Sequence, residues 1–367
     1  MKKARCAIIG AGWWGTTAHV PALVRHPQAE LVAIQHHDPA TAARIARDFG
    51  VPNGCTSAEE VLAIEPLDAV VVSSVPALHH AQAAAALRRG CHVLIEKPMT
   101  ITAEQADELV ALSSAGDLHL ILGATWHYTA HCVEARRLIQ SGALGELRMI
   151  SVLMTNIAEG IFRGQPFAEA MGGSDDQRRA EHQPPYLEPG RTSYSDPELA
   201  GGGQIYSQAS HPSAYISFLT ERQPAEVFAR FENDGAPVDI YNALTMTLDD
   251  GTLVSLATNS AAVPEQMHYE LRIFGTEGLL VQELWKGTLA VFDRRGNARS
   301  REPLAADEIY PLHAPAENLV DAALGTAENG SPARHGAFAA RISEAACESA
   351  RTGAPVAIRP RPDARAV

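Results

Sequence analysis

The run RCAII at residues 5–9 leads directly into Gly10, Gly12 and Gly15, a G-x-G-x-x-G spacing. Few patterns restrict a chain more, because each glycine answers a separate steric demand. Gly10 permits a tight turn, Gly12 lets the backbone approach a pyrophosphate, and Gly15 lets helix pack closely on strand. The helix that starts near Trp14 then turns unpaired N–H groups and its positive dipole end toward the turn. A strand, this turn and a helix predict a dinucleotide site built from Gly10, Ala11, Gly12, Trp13, Trp14 and Gly15.

The same alternation continues to about residue 145. ELVAIQ, DAVVVSS, HVLIE and LHLILG are short apolar runs, and each is followed by a helical pattern such as PATAARIARDF or TAEQADELVALSS. A parallel strand pair needs a crossover of a dozen or more residues, so this rhythm predicts a doubly wound parallel sheet. Beyond Gly145 the rhythm changes. VDIYNALTMTL, TLVSLATNSA, HYELRIFG, LLVQEL and TLAVFD follow one another across tight-turn signals such as DDG and GTEG, which predicts an antiparallel sheet. With 367 residues, two domains are expected: a dinucleotide-binding domain over 1–125 and a substrate-binding and oligomerisation domain over 126–367. The closing helices, AENLVDAALG and FAARISEAACESAR, are candidates to pack back on the first domain.

Charge excludes some partners. Thirty basic residues against 43 acidic give a net −13, and no cluster of Lys or Arg could neutralise a nucleic-acid backbone. No apolar stretch approaches the ~18–20 residues of a membrane span, and the N-terminal segment lacks a convincing cleavage site, so a cytoplasmic protein is expected. Five scattered cysteines without a C-x-x-C pair indicate neither a disulfide framework nor a metal site.

Ligands bind at the carboxyl ends of parallel strands in an open sheet, so residues there are site candidates. The second strand ends at Gln35 and His36, where the fingerprint expects an acid for the adenosine ribose. Asp38 lies slightly late and also fits a helix N-cap before Pro39, while Arg44 follows on the next helix. NAD and NADP are both compatible with that pattern, with His36 beside the ribose. Ser73 and Ser74 end the strand DAVVVSS, and LIEKPMT places Glu96, Lys97 and Pro98 at the end of the next one.

GAGWWG (10–15), DAVVVSSVPALHH (68–80), HVLIEKPMT (92–100), SGALGEL (141–147), GGGQIYSQASH (201–211) and LRIFGTEG (271–278) occur in one order. In this the chain resembles the Gfo/Idh/MocA family over nearly its whole length. The resemblance implies a Rossmann domain holding a nicotinamide cofactor, and a second domain with an open antiparallel sheet and a sugar or cyclitol pocket. It implies that Lys97 contacts both nicotinamide and the reacting oxygen, that Glu96 pairs with Lys97 or holds the cofactor, and that His79 lies near the nicotinamide. His211 matches the histidine that relays the substrate proton. Helical spacing places Gln204, Ser207, Gln208, His211 and Tyr215 on one face toward Lys97.

The chain departs from that pattern at two places. Ser-Val-Pro stands at 74–76 where relatives show Thr-Pro-Asn, and Ser207 and Ala214 replace acids that flank the histidine. Three functions follow as expectations. The first is an NAD(P)-dependent oxidoreductase acting on a sugar, cyclitol or related polyhydroxy compound. The others are a non-catalytic sugar-sensing regulator, and a lyase or glycosidase using transient oxidation. In the irregular 158–203 segment, Arg163, Arg191 and Tyr194 are candidate substrate contacts, as are Trp126, His127 and Tyr128. The working substrate set is Lys97, Trp126, His127, Tyr194, Ser207 and His211. An exposed apolar face of the second sheet would make a homodimer or homotetramer.

Overall fold

The computed structural model describes residues 2–171 and 185–359. Its first sheet contains β1 (Ala4–Ile9), β2 (Ala29–Gln35), β3 (Asn53–Cys55), β4 (Ala69–Val72), β5 (His92–Ile95) and β6 (Leu120–Leu122). All pairs are parallel, in the order β3-β2-β1-β4-β5-β6. The order reverses at β1, which has β2 on one side and β4 on the other. That reversal opens a crevice beyond the carboxyl ends of β1 and β4, where Gly10 and Ser73 lie. Ala7, Ile9, Val70 and Val72 enter one core and Ile8, Val71 and Leu94 the other, so the strands are apolar throughout because helices cover both faces.

Helix α1 (Val20–Arg25) extends a π-helical turn over Gly15–His19, α2 (Pro39–Phe49) follows β2, and α3 (Ala58–Leu62) follows β3. Next come α4 (Pro76–Arg88) and α5 (Ala103–Ala115), the latter started by a capping box in which Thr102 and Gln105 satisfy each other's backbone N–H groups.

The second sheet has nine strands: β7 (Leu147–Thr155), β8 (Pro224–Glu232), β9 (Tyr241–Leu248), β10 (Leu253–Asn259), β11 (His268–Gly275), β12 (Gly278–Glu283), β13 (Thr288–Asp293), β14 (Ala298–Ser300) and β15 (Val356–Ala357). Their order is β14-β13-β12-β11-β7-β10-β9-β8-β15. The sheet is mixed and not wholly antiparallel, because β7 pairs parallel with β10. The cause is topological. β10 and β11 run opposite to each other with β7 laid between them, so β7 must be parallel to one of the two.

The inner face of this sheet packs on α6 (Ala130–Gln140) and on the helices Ser210–Thr220 and Arg334–Thr352. Phe338 and Ile342 of the last helix join this core, while Ala337 and Ala340 join a core of the first sheet. The helix Ala314–Ala323 buries Ala316, Leu319 and Val320 beside Ile8 and Leu23. The two sheets therefore share a helical wall, which fixes the crevice between them.

The helical pattern from Gln204 to Thr220 forms two pieces, Gln204–Ser207 and Ser210–Thr220. Pro212 has no N–H to offer the Gln208 carbonyl, which accepts from His211 at 3.0 Å instead. Tyr215, expected on the crevice face, is buried in the core with its hydroxyl donating to Gln282 at 2.6 Å.

Candidate active site

The glycine-rich turn has the shape its spacing requires. Gly10 adopts φ +85°, and a Cβ there would lie 2.3 Å from the Ser74 nitrogen. A Cβ on Gly15 would lie 2.8 Å from the Gly10 carbonyl, whereas one on Gly12 would meet nothing within 4 Å. The turn is thus closed against the protein and open on its outer side. Ser73 Oγ is buried beside it with no protein partner among the described residues. These residues fit a dinucleotide pyrophosphate, which needs approachable backbone and a spare donor.

Gln35, at the strand end where the fingerprint expects an acid, holds this turn from below. Its Oε1 accepts from the Gly10 N–H at 2.9 Å and its Nε2 donates to the Thr56 carbonyl at 3.0 Å. His36 follows as a half-buried residue, stacked on the exposed His37 at 4.4 Å. Asp38 is the N-cap of α2, accepting from the Thr41 N–H at 2.8 Å.

Glu96 is buried and binds three donors. Its Oε1 accepts from Trp14 Nε1 at 2.9 Å and meets His19 Nε2 at 2.9 Å, and its Oε2 accepts from the Lys97 N–H at 3.1 Å. Burial pushes the carboxyl upward, but the His19 hydrogen bond and charge, with the Lys97 charge, outweigh it and hold the group below its ordinary range. Gly123 is required here, since a Cβ would lie 2.5 Å from Glu96 Oε1. Glu96 thus locks the helix of the glycine turn to the end of β5. The Trp14 indole N–H is committed to that lock, and Trp13 packs away from it against Phe167 and Tyr194, with ring centroids 5.2 and 6.3 Å apart.

The Lys97–Pro98 peptide is cis. Lys97 Nζ donates to the Ser207 carbonyl at 3.0 Å, and burial lowers its pKa while Glu96 opposes the shift. Ser207 therefore meets Lys97 through its backbone, while its hydroxyl accepts from Gln208 at 3.4 Å. One turn on, His211 is 7% exposed and meets the Trp126 ring edge-on at 5.2 Å. Its ring nitrogens have no hydrogen-bond partner among the described residues. Burial, then the charge of Lys97, then His127 push its pKa well below the ordinary histidine value. The lysine, 114 positions before the histidine in sequence, thus reaches the backbone one helical turn ahead of it.

Two other histidines have their polar atoms turned elsewhere. His79 Nδ1 lies 2.9 Å from the Pro98 carbonyl and Nε2 lies 3.0 Å from the Ser74 carbonyl, so the ring sits between the two strand ends and its single N–H, when neutral, serves one of the two carbonyls. Burial lowers its pKa. His127 stacks on Phe218 at 4.2 Å, and its Nδ1 lies 2.8 Å from Ser331 Oγ. Burial and the Arg136 charge push it down to about 3. A tight 3-10 turn over Thr125–Tyr128 sends neighbouring side chains in different directions, so Trp126 meets His211 while His127 enters the core. Tyr128 likewise turns away and donates to Asn318 at 3.1 Å. Arg163 is tied to Glu159 and Asp234, and Arg191 to the Gly164 carbonyl.

Around Trp126 the structure adds three aromatics that carry no sequence signal. Tyr269, Trp285 and Tyr310 pack edge-on or near it, with centroids 4.7–4.9 Å away. Tyr310 also meets Trp14, at 6.4 Å, linking this cluster to the glycine-turn helix. Trp126 Nε1, Trp285 Nε1 and the Tyr269 hydroxyl are buried without protein partners among the described residues.

Two family descriptions match the sequence in tandem: an oxidoreductase family with an NAD-binding Rossmann fold over residues 4–123, and a GFO/IDH/MocA C-terminal domain over residues 176–281. The chain belongs to the Gfo/Idh/MocA family. It is therefore an oxidoreductase that uses NAD or NADP. It is 28% identical over 288 residues to an uncharacterized oxidoreductase of Synechocystis, covering 75% of this chain and 70% of that one. It is 35% identical over 164 residues to the dTDP-3,4-didehydro-2,6-dideoxy-alpha-D-glucose 3-reductase of Streptomyces antibioticus, covering 44% of this chain and 50% of that one. Among solved structures, levoglucosan dehydrogenase in complex with NADH and L-sorbose superposes with a TM-score of 0.79. The sequences are 19% identical, and the match covers 98% of this chain and 100% of that one. That last likeness speaks for the fold.

Proposed function

We propose that this Gfo/Idh/MocA oxidoreductase interconverts an alcohol and a carbonyl on a sugar, cyclitol or related polyhydroxy compound. The observation that carries the reading is that Lys97 reaches the Ser207 carbonyl, one helical turn before His211, with neither side chain hydrogen-bonded to a carboxylate among the described residues. A nicotinamide held there supplies or removes hydride at its ring carbon. Lys97 donates a hydrogen bond to the reacting oxygen and stabilises the negative charge that grows as the hydroxyl loses its proton. His211 Nε2 or Nδ1 accepts that proton, since the site keeps the imidazole neutral. Trp126 braces the imidazole edge-on. Gly10, Gly12, Gly15 and Ser73 hold the pyrophosphate, and His36 lies at the ribose end.

The sugar reductase and the levoglucosan dehydrogenase among the similar proteins support a polyhydroxy substrate. The chain divides for this purpose into a cofactor domain over 1–125 and a substrate domain over 126–367. A screen of sugars, uronic acids and inositols for reduction of NAD and NADP, with Lys97→Met as control, tests the reading. Turnover is expected in the parent and is abolished in the variant; equal rates in both would remove Lys97 from the chemistry.

The chain also self-associates through the outer face of its second sheet. Met149, Leu253 and Phe274 are paired neighbours on β7, β10 and β11, and are 40%, 55% and 38% exposed. Water against such a row is unfavourable, and a second copy would cover it as a homodimer or homotetramer. Light scattering on Leu253→Asp should show a smaller assembly than the parent; a monomeric parent would refute this. A reducing, cytoplasmic setting suits the five unpaired cysteines. Among the described residues no helix is long and apolar enough to cross a membrane.

A further inference from the structure

The carboxyl end of β2 is where an acid would accept hydrogen bonds from the adenosine ribose of NAD, and where a cation would instead receive the 2′-phosphate of NADP. Among the described residues the end of β2 itself carries no carboxylate. Gln35 occupies the strand end, and both ends of its amide are spent on Gly10 and Thr56. Asp38 is the nearest acid, and its carboxylate is held by the backbone N–H and hydroxyl of Thr41 at the start of α2.

Basic groups stand in its place. His36 Nδ1 accepts from the Asp38 N–H at 3.1 Å, which leaves Nε2 as the protonated nitrogen and therefore a donor. His37 stacks on it at 4.4 Å. Arg44, exposed on α2, lies over the Tyr186 ring at 5.0 Å, and its charge reaches His36. Tyr186 donates to Asp48 at 2.7 Å. The backbone keeps His36 in register, its N–H donating to the Cys55 carbonyl on β3 at 3.1 Å.

We propose that His36, His37 and Arg44 form a 2′-phosphate site, and that this oxidoreductase selects NADP over NAD. The proposal rests on the cofactor reading above and adds the choice between the two cofactors. A phosphate carries nearly two negative charges and strong acceptor oxygens, which an imidazole N–H and a guanidinium satisfy. The strand end itself carries the amide of Gln35 and no acid, and the Arg44 guanidinium with the His36 N–H stands against the single charge of Asp38.

Calorimetric titration of the purified chain with NADP, NAD, 2′,5′-ADP and 5′-ADP tests this without turnover. NADP should bind at least tenfold more tightly than NAD, and 2′,5′-ADP at least tenfold more tightly than 5′-ADP. His36→Asp should reduce the NADP/NAD affinity ratio by tenfold or more, and Arg44→Ala should reduce it by a smaller factor. Equal or tighter binding of NAD by the parent would overturn the selection alone and leave the dinucleotide site intact. So would a ratio unmoved by both variants. Failure of both dinucleotides to bind would overturn the reading of the glycine turn as well.

Discussion

The two walls of the crevice differ in how far their polar groups are satisfied from within. On the cofactor side, Glu96 binds Trp14, His19 and the Lys97 N–H, Gln35 spends both ends of its amide and His79 sits between two carbonyls, leaving Ser73 Oγ and His19 Nδ1 as the buried polar atoms without a protein partner there among the described residues. On the substrate side, His211 has no hydrogen-bond partner, and Trp126, Trp285 and Tyr269 carry buried polar atoms without one, all among the described residues. A wall whose groups are satisfied internally is rigid and keeps one geometry for one ligand class. A wall with open donors must be completed by a ligand, because a buried unpaired group costs about 1–3 kcal/mol. Binding of a hydroxyl-rich substrate recovers that cost on one side, while the other side stays preorganised.

Lys97→Met should give the largest effect, since it removes the ammonium that both walls share. A loss of about a thousandfold in kcat/KM is expected, in line with the removal of a transition-state donor. Cofactor affinity should survive, as measured by titration; a variant that retained turnover would break the division between the walls. Glu96→Ala strips a buried carboxylate from His19 and two N–H donors, so unfolding free energy should fall by about 3 kcal/mol. Chemical denaturation reads this, and an unchanged midpoint would show that the lock contributes nothing.

His211→Asn should lower kcat by about a hundredfold, as for loss of a positioned base. Its pH signature sharpens the comparison. Because burial and Lys97 push His211 well below 6.5, the imidazole stays neutral through the ordinary histidine range, and oxidation should not fall as pH drops through it. Lys97 must remain protonated to donate, and its pKa is lowered from 10.5, so the alkaline decline should begin earlier than for a free lysine. A rate profile with a histidine-like acid limb near 6.5 would contradict this. The smallest expected change comes from Ser207→Asp, which brings a carboxylate near His211 and Lys97. An acid there favours both charged forms, so both limbs should move to higher pH.

Much of the cofactor wall was legible from the residues themselves. G-x-G-x-x-G on a strand-to-helix turn and apolar runs with helical spacers are local patterns, and local sterics alone select them. Asp38 as a cap is equally local. What the patterns missed was reach across the fold. Glu96 was expected to pair with the Lys97 ammonium or the cofactor, but it bonds His19 and Trp14, 77 and 82 positions away. His19 could have been noticed as a polar residue one turn beyond Gly15. Tyr310 and Trp285 offered no such signal, because they come from turns and irregular segments with no periodicity to read.

By itself, then, the sequence determined the parallel sheet with its glycine-rich turn and the change to consecutive strands after Gly145. Those features follow from periods of 2 and 3.6 residues and from glycine sterics, which act within one or two turns of chain. Only the tertiary structure decided that His127 enters the core, that Ser207 offers its carbonyl and not its hydroxyl, and that β7 runs parallel to β10. Each of these depends on which distant segment fills the neighbouring space, and that is settled by packing the whole chain.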